Sequence, residues 1–195
     1  MRLFVALDID AEIRERLARF ADGLRQFAPD ARWVKEESLH ITLKFIGEWP
    51  DPEVDKIKGE LAGAAGQAAV IQFKGYGFFP STKSARVFWV GLEAGPELVA
   101  LAAAVEEKLQ VLGIAKEERK FSPHLTLARS PGGSGSPRRD KREGDRGTFR
   151  LLQERLLSLP SPAFGSMIPR EFFLYRSQLS PKGSTYSKLA NFAIS

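Results

Sequence analysis

The chain has 195 residues, 43% of them hydrophobic, with 29 Lys and Arg against 24 Asp and Glu for a formal charge of +5. That length and apolar content suffice to bury a core and exclude a disordered chain, while the charge permits steering of a polyanion without requiring it. The absence of cysteine excludes disulfides, thiolate nucleophiles and cysteine-ligated zinc.

The run Leu3 to Ile9 reads as a strand ended by Asp10, a helix-cap residue. It is too short for a signal peptide, and no uncharged stretch reaches membrane-spanning length, so a soluble cytoplasmic protein is expected. Ile13, Leu17, Phe20, Leu24 and Phe27 recur at helical spacing up to Pro29. Ser38 to Ile46 is a strand closed by Gly47, and Asp51-Pro52 opens a helix packed through Val54, Ile57 and Leu61. Strands over 70–73 and 86–90 flank a turn around Phe79 and Pro80, and a long helix runs from Pro96 to Leu112. A strand over 124–128, a charged glycine-rich mobile loop over 130–147, a helix over 149–157 and strands over 171–176 and 185–194 complete the chain. This order predicts an α+β protein with helices packed on mainly antiparallel sheets.

One pattern occurs twice. Leu39-His40-Ile41-Thr42-Leu43 returns as Pro123-His124-Leu125-Thr126-Leu127, and these two histidines are the only ones in the chain. Alternation along a strand puts His40 with Thr42 and His124 with Thr126 on one face, apolar residues on the other. Imidazoles titrate near neutrality, so one can take a proton from water while its partner gives one to a departing ribose oxygen, and hydroxyls can hold nonbridging phosphate oxygens. A bell-shaped rate profile near neutral pH would follow. Two histidines without cysteine are too few for a common zinc site, so no metal or other cofactor is expected, and Asp8 and Asp10 read as a strand end and a cap. No P-loop is present, which argues against ATP-dependent joining.

Several residues flank the motifs. Strict alternation turns Arg129 away from His124 unless a bulge or strand end intervenes; it then either binds phosphate or forms a salt bridge or rim contact. Phe45 faces the wrong way by the same rule, leaving base stacking or core packing open, while Lys44 shares the parity of His40 and would meet a phosphate or solvent. Arg32 and Trp33 either line the rim or anchor a loop. Tyr186 either bounds a nucleotide pocket or packs on its strand. The cations Arg138, Arg139, Lys141, Arg142 and Arg146 hold an RNA tail or decorate a solvated loop.

The paired motifs, with Arg2-Leu3-Phe4-Val5-Ala6-Leu7, Arg32-Trp33, Lys44-Phe45-Ile46-Gly47, Gly77-Phe78-Phe79-Pro80, Arg86-Val87-Phe88-Trp89 and Ala128-Arg129, resemble the two-histidine phosphoesterase superfamily, specifically its bacterial and archaeal RNA 2′,3′-cyclic phosphodiesterases, long named 2′-5′ RNA ligases. The resemblance spans most of the chain. It implies a bilobal fold over residues 1–195, two interleaved lobes with mainly antiparallel sheets flanking a central cleft and helices on the outer faces. It also implies metal-independent hydrolysis of an RNA terminal 2′,3′-cyclic phosphate to a 2′-phosphate, with His40 as acid to O3′, His124 as base for water, and reversible 2′-5′ ligation as a side activity. A small cyclic nucleotide or a 2′-5′ oligonucleotide as substrate, and an RNA-end-binding module without turnover, remain alternatives. A monomer is expected because no heptad repeat is evident.

Overall fold

A computed structural model describes residues 1–131, 147–180 and 183–195. Among the described residues nine strands run β1 Arg2–Leu7, β2 Arg32–Trp33, β3 Ile41–Glu48, β4 Ile71–Phe79, β5 Val87–Ala94, β6 His124–Arg129, β7 Ala163–Met167, β8 Glu171–Ser180 and β9 Gly183–Ala193; the α-helices are α1 Ala11–Leu24, α2 Val54–Ala62, α3 Pro96–Gln110 and α4 Arg150–Leu157. The strands form two sheets, ordered β3-β1-β8-β9 and β2-β6-β5-β4-β7, and all their pairings are antiparallel. The α+β expectation holds. Each sheet draws on distant parts of the chain: β8 and β9 join the N-terminal strands of the first, and β2 reaches into the second. Most of the expected loop over 130–147, with its five cations, lies outside the described residues.

β1 is central to its sheet and buried on both faces. Leu3, Val5 and Leu7 enter the main core, which continues through α1, α2, α3 and the second sheet; Phe4 and Ala6 face the other way, into a smaller cluster with Tyr175, Phe173 and Tyr186. In α1 the apolar stripe Ile13, Leu17, Ala21 and Leu24 is buried, and the outer face carries the pairs Arg16–Glu12 and Arg19–Glu15 one turn apart, each worth a few tenths of a kcal/mol (about 0.3–0.5). Asp10 stands at the cap position of α1, but its side chain makes no capping hydrogen bond. α3 opens with Pro96 in its first turn and buries Leu98, Leu101, Ala102, Val105 and Leu109.

Two short strands, β2 and β7, were not visible in the pattern, and β4 extends to Phe79 rather than ending at Phe73. Gly75, at φ 71°, sits where the β4–β5 register shifts between Phe73 and Tyr76, so the strand survives an irregularity that breaks its alternation. Gly77 has a different reason to be glycine. A Cβ there would meet the indole of Trp89 at 2.2 Å, so the ring packs directly against the bare backbone.

Candidate active site

The two motif strands share one irregularity. In the β1–β3 ladder Val5 pairs with Lys44 and Ala6 with Thr42, which leaves Leu43 as an extra residue. In the β5–β6 ladder Phe88 pairs with Ala128 and Trp89 with Thr126, which leaves Leu127 extra. Leu43 and Leu127 occupy the same place, three residues after each histidine. A one-residue bulge inverts the alternation of everything beyond it. Accordingly Leu43 and Lys44 are both buried, and so are Leu127 and Ala128, after which Phe45 and Arg129 emerge on the face of the histidines.

These bulges decide several expectations. Arg129 is brought to the face of His124 and Thr126, and Phe45, 45% exposed, to that of His40 and Thr42. Lys44 is corrected: it does not share the histidine face but is 3% exposed, with Nζ donating to Glu106 Oε1 at 2.6 Å and to the Ala115 carbonyl at 2.7 Å. Trp33 is also turned inward. It pairs with buried Ala128, donates its indole N–H to the Ala28 carbonyl at 3.0 Å and meets Phe88 edge-on, as a loop anchor does. Arg32 pairs directly with Arg129, and directly opposed residues share a sheet face, so Arg32 stands exposed beside it. Tyr186 lies edge-on to His40 at 5.2 Å and to Phe4 at 5.1 Å, forming a wall of the His40 side.

The two imidazoles are held alike. His40 Nδ1 lies 2.7 Å from the Ser38 carbonyl and His124 Nδ1 2.7 Å from the Ser122 carbonyl, each two residues back. A carbonyl only accepts, so Nδ1 carries the proton in both rings, and Nε2 remains as the atom able to take or give one. Around them are aromatic rings: Phe4 at 4.9 Å from His40, with Tyr175 stacked on Phe4, and Phe79 edge-on at 4.9 Å from His124 with Trp89 at 6.2 Å. Phe4, Phe79 and Trp89 stood in the resembling segments without a role, and Tyr175 gave no signal.

Burial pushes the His40 imidazole down to about 4, against the raising effect of the Ser38 carbonyl; the positive charges of Arg129 and Arg14 lower it further and Asp8 opposes them. Burial also lowers His124, where the Ser122 carbonyl opposes and Arg129 adds to the shift. The charge of Arg129 therefore acts on both histidines. Arg129 itself is crowded by protein yet more than a third exposed, as in an open cleft, and burial followed by Tyr186 and Arg2 governs its environment.

Arg14 braces the His40 side in a way no local pattern signals. Its guanidinium donates to the carbonyl of Glu36 at 2.6 Å and to that of Leu39 at 3.2 Å, and also engages Asp8. Lys188 holds the other oxygen of Asp8. Although burial opposes it, the carboxyl of Asp8 is kept below its usual range by Lys188, the Ile9 amide and Arg14. Asp8 is thus committed to cations of the chain, and among the described residues no three His, Asp or Glu side chains gather as a metal-binding set. No helix of the described residues is long and apolar enough to cross a membrane.

Two antiparallel sheets, each bearing a bulged His-x-Thr motif under the charge of a common arginine, define a two-histidine phosphoesterase. Residues 7–89 match the family model described as LigT like Phosphoesterase. An RNA 2′,3′-cyclic phosphodiesterase of Archaeoglobus fulgidus is 35% identical over 98% of this chain and 99% of its own length. Among solved structures, one from Thermus thermophilus superposes with a TM-score of 0.77 at 27% identity, covering 100% of this chain and 98% of its own. Escherichia coli LigT complexed with 3′-AMP gives 0.75 at 26% identity over 99% and 97% of the two chains. The chain belongs to the LigT-like phosphoesterase family of the two-histidine superfamily.

Proposed function

We propose that the protein hydrolyses the 2′,3′-cyclic phosphate at the end of an RNA to a 2′-phosphate without a metal ion. The observation that carries this reading is the matched pair of imidazoles, each with Nδ1 on the carbonyl two residues back and Nε2 left for proton transfer, under the charge of one arginine. Water attacks phosphorus in line with O3′ and loses a proton to one Nε2 while the P–O3′ bond breaks and O3′ takes a proton from the other. The hydroxyls of Thr42 and Thr126 donate to the nonbridging oxygens, and Arg129 balances their charge. A 5′-hydroxyl in place of water would form a 2′-5′ linkage by the same geometry.

His40 is assigned to O3′ and His124 to water. Because His40 rests near 4 in the free protein, it becomes an effective acid only when the bound anion raises its proton affinity. The test uses RNA and dinucleotide 2′,3′-cyclic phosphates in EDTA, with the product identified by phosphorus NMR. A 2′-phosphate product, and a loss of about 10²–10⁴-fold in either histidine-to-alanine variant, are expected. Strict metal dependence, or full activity without either histidine, would overturn the mechanism, and a 3′-phosphate product would overturn the leaving oxygen. A substrate with sulfur bridging at the 3′ position needs no acid. It should restore turnover to His40→Ala and not to His124→Ala, and the reverse result exchanges the two roles.

A further inference from the structure

Arg2 has the parity of Phe4 and Ala6 and so faces the cleft rather than the main core. Its neighbour in the ladder toward β8 is Ser177, which in turn pairs with Tyr186. The charges of both Arg2 and Tyr186 act on Arg129 from the facing sheet, and Arg32 stands directly across the ladder from Arg129 on its own sheet. The three arginines therefore stand on the two walls, Arg32 beside Arg129 in the ladder and Arg2 close enough for its charge to act on Arg129. Among the described residues none of the three makes an ion pair, and Glu48, which pairs with Arg2 in the ladder, is instead 3.4 Å from the amino terminus. Like charges on one surface with no ion pair among the described residues raise the energy of the free protein and favour an anion that bridges them.

The cyclic phosphate brings one negative charge and lies with the histidines, where Arg129 answers it. Arg2 and Arg32 flank Arg129 on either wall and are left over. We propose that Arg2 and Arg32, together with the outer edge of Arg129, form a second anion subsite that holds the phosphodiester on the 5′ side of the terminal nucleoside. The protein then selects the end of an RNA chain over a free nucleoside cyclic phosphate by charge, one nucleotide away from the reacting phosphorus. This subsite rests on the hydrolase reading above, and it differs from a base-recognition pocket because it reads only the backbone.

The test compares three substrates: a dinucleotide ending in a 2′,3′-cyclic phosphate, the same dinucleotide with its internal linkage replaced by a neutral methylphosphonate, and the nucleoside 2′,3′-cyclic phosphate. Wild-type kcat/KM should fall about tenfold when the linkage is neutralised, and Arg2→Gln and Arg32→Gln should each remove most of that preference and flatten the salt dependence by about one unit of slope. The quantity read in Arg2→Gln is the ratio of kcat/KM for the dinucleotide to that for its methylphosphonate twin, which should collapse toward one. A wild type indifferent to the linkage charge, or an Arg2→Gln variant weakened equally on all three substrates, overturns the subsite and leaves the hydrolase standing. A wild type that turns over none of them overturns the hydrolase reading; titration of the dinucleotide with a 2′-phosphate end against its methylphosphonate twin then decides the subsite by itself.

Discussion

Lys44 offers the sharpest test of the bulge that shapes both motifs. With the bulge at Leu43 its ammonium is in the interior, bonded to Glu106 and the Ala115 carbonyl, and its side chain is 2% exposed against 22% for Glu106. The two partners are therefore unequal. Glu106→Gln removes the nearer charge from a buried ammonium that keeps only the Ala115 carbonyl and, at 3.8 Å, Glu117 Oε1, which costs up to about 3–5 kcal/mol. Lys44→Met fills nearly the same space with an apolar chain and frees a carboxylate that still reaches water and accepts the Glu117 amide at 2.6 Å, so its cost is within about 1 kcal/mol either way. The double variant should resemble Lys44→Met alone. Urea unfolding of the four proteins, with kcat/KM measured on each, checks the set. Lys44→Met that keeps full stability but loses two orders of magnitude in activity would place the ammonium on the cleft face and refute the bulge.

Other outcomes follow from the same geometry. Gly77→Ala must displace the indole that lies on it, with a cost of about 1–3 kcal/mol and a lowered kcat because Trp89 and Phe79 pack against His124; Gly59→Ala, an exposed helical site with nothing within 4 Å, should instead stabilise by up to about 1 kcal/mol. The folded His40 rests near 4 against 6.5 unfolded, so its contribution to stability is complete above pH 6.5 and is lost as pH falls toward 4. Wild type should lose about 2 kcal/mol more than His40→Gln between pH 7 and pH 5, measured by urea unfolding at each pH. Since both imidazoles are lowered in the free protein, the kcat/KM profile should peak below pH 6.5 rather than near neutrality, and the kcat profile should lie at higher pH because the bound anion raises both. A kcat/KM maximum above pH 7 would refute the depressed pair.

The elements with strong period were legible. The α1 stripe, the apolar run of β1 and the two His-x-Thr strands each announce themselves through neighbours in sequence. What escaped was set by partners far along the chain. β2 is two residues long and exists only because Val34 and its neighbours bond to β6, and Arg14 braces the turn before His40 through carbonyls more than twenty residues away. The bulges were the costliest omission. Alternation correctly paired each histidine with its threonine, then failed one residue later, and with it went the placement of Lys44 and the uncertainty over Phe45 and Arg129.

That failure has a physical reason. A strand that keeps strict alternation can present only every second residue to a cleft, so a histidine, a threonine and the next residue would follow one another in fixed steps along one line. The extra residue in each ladder tightens the local twist and sinks two consecutive side chains, Leu43 with Lys44 and Leu127 with Ala128, before the strand returns to the cleft. The core gains an anchor on each side, and the residue that returns is re-aimed. On the His40 strand it is Phe45, near Phe4; on the His124 strand it is Arg129, whose charge reaches both imidazoles. Two arginines at these places would leave the more buried His40 facing still more positive charge, which would hold it neutral even against a bound phosphate. In the proposed mechanism, one aromatic and one cation at matching bulges give the cleft a single guanidinium for the reacting phosphate while both histidines keep the capacity to exchange a proton.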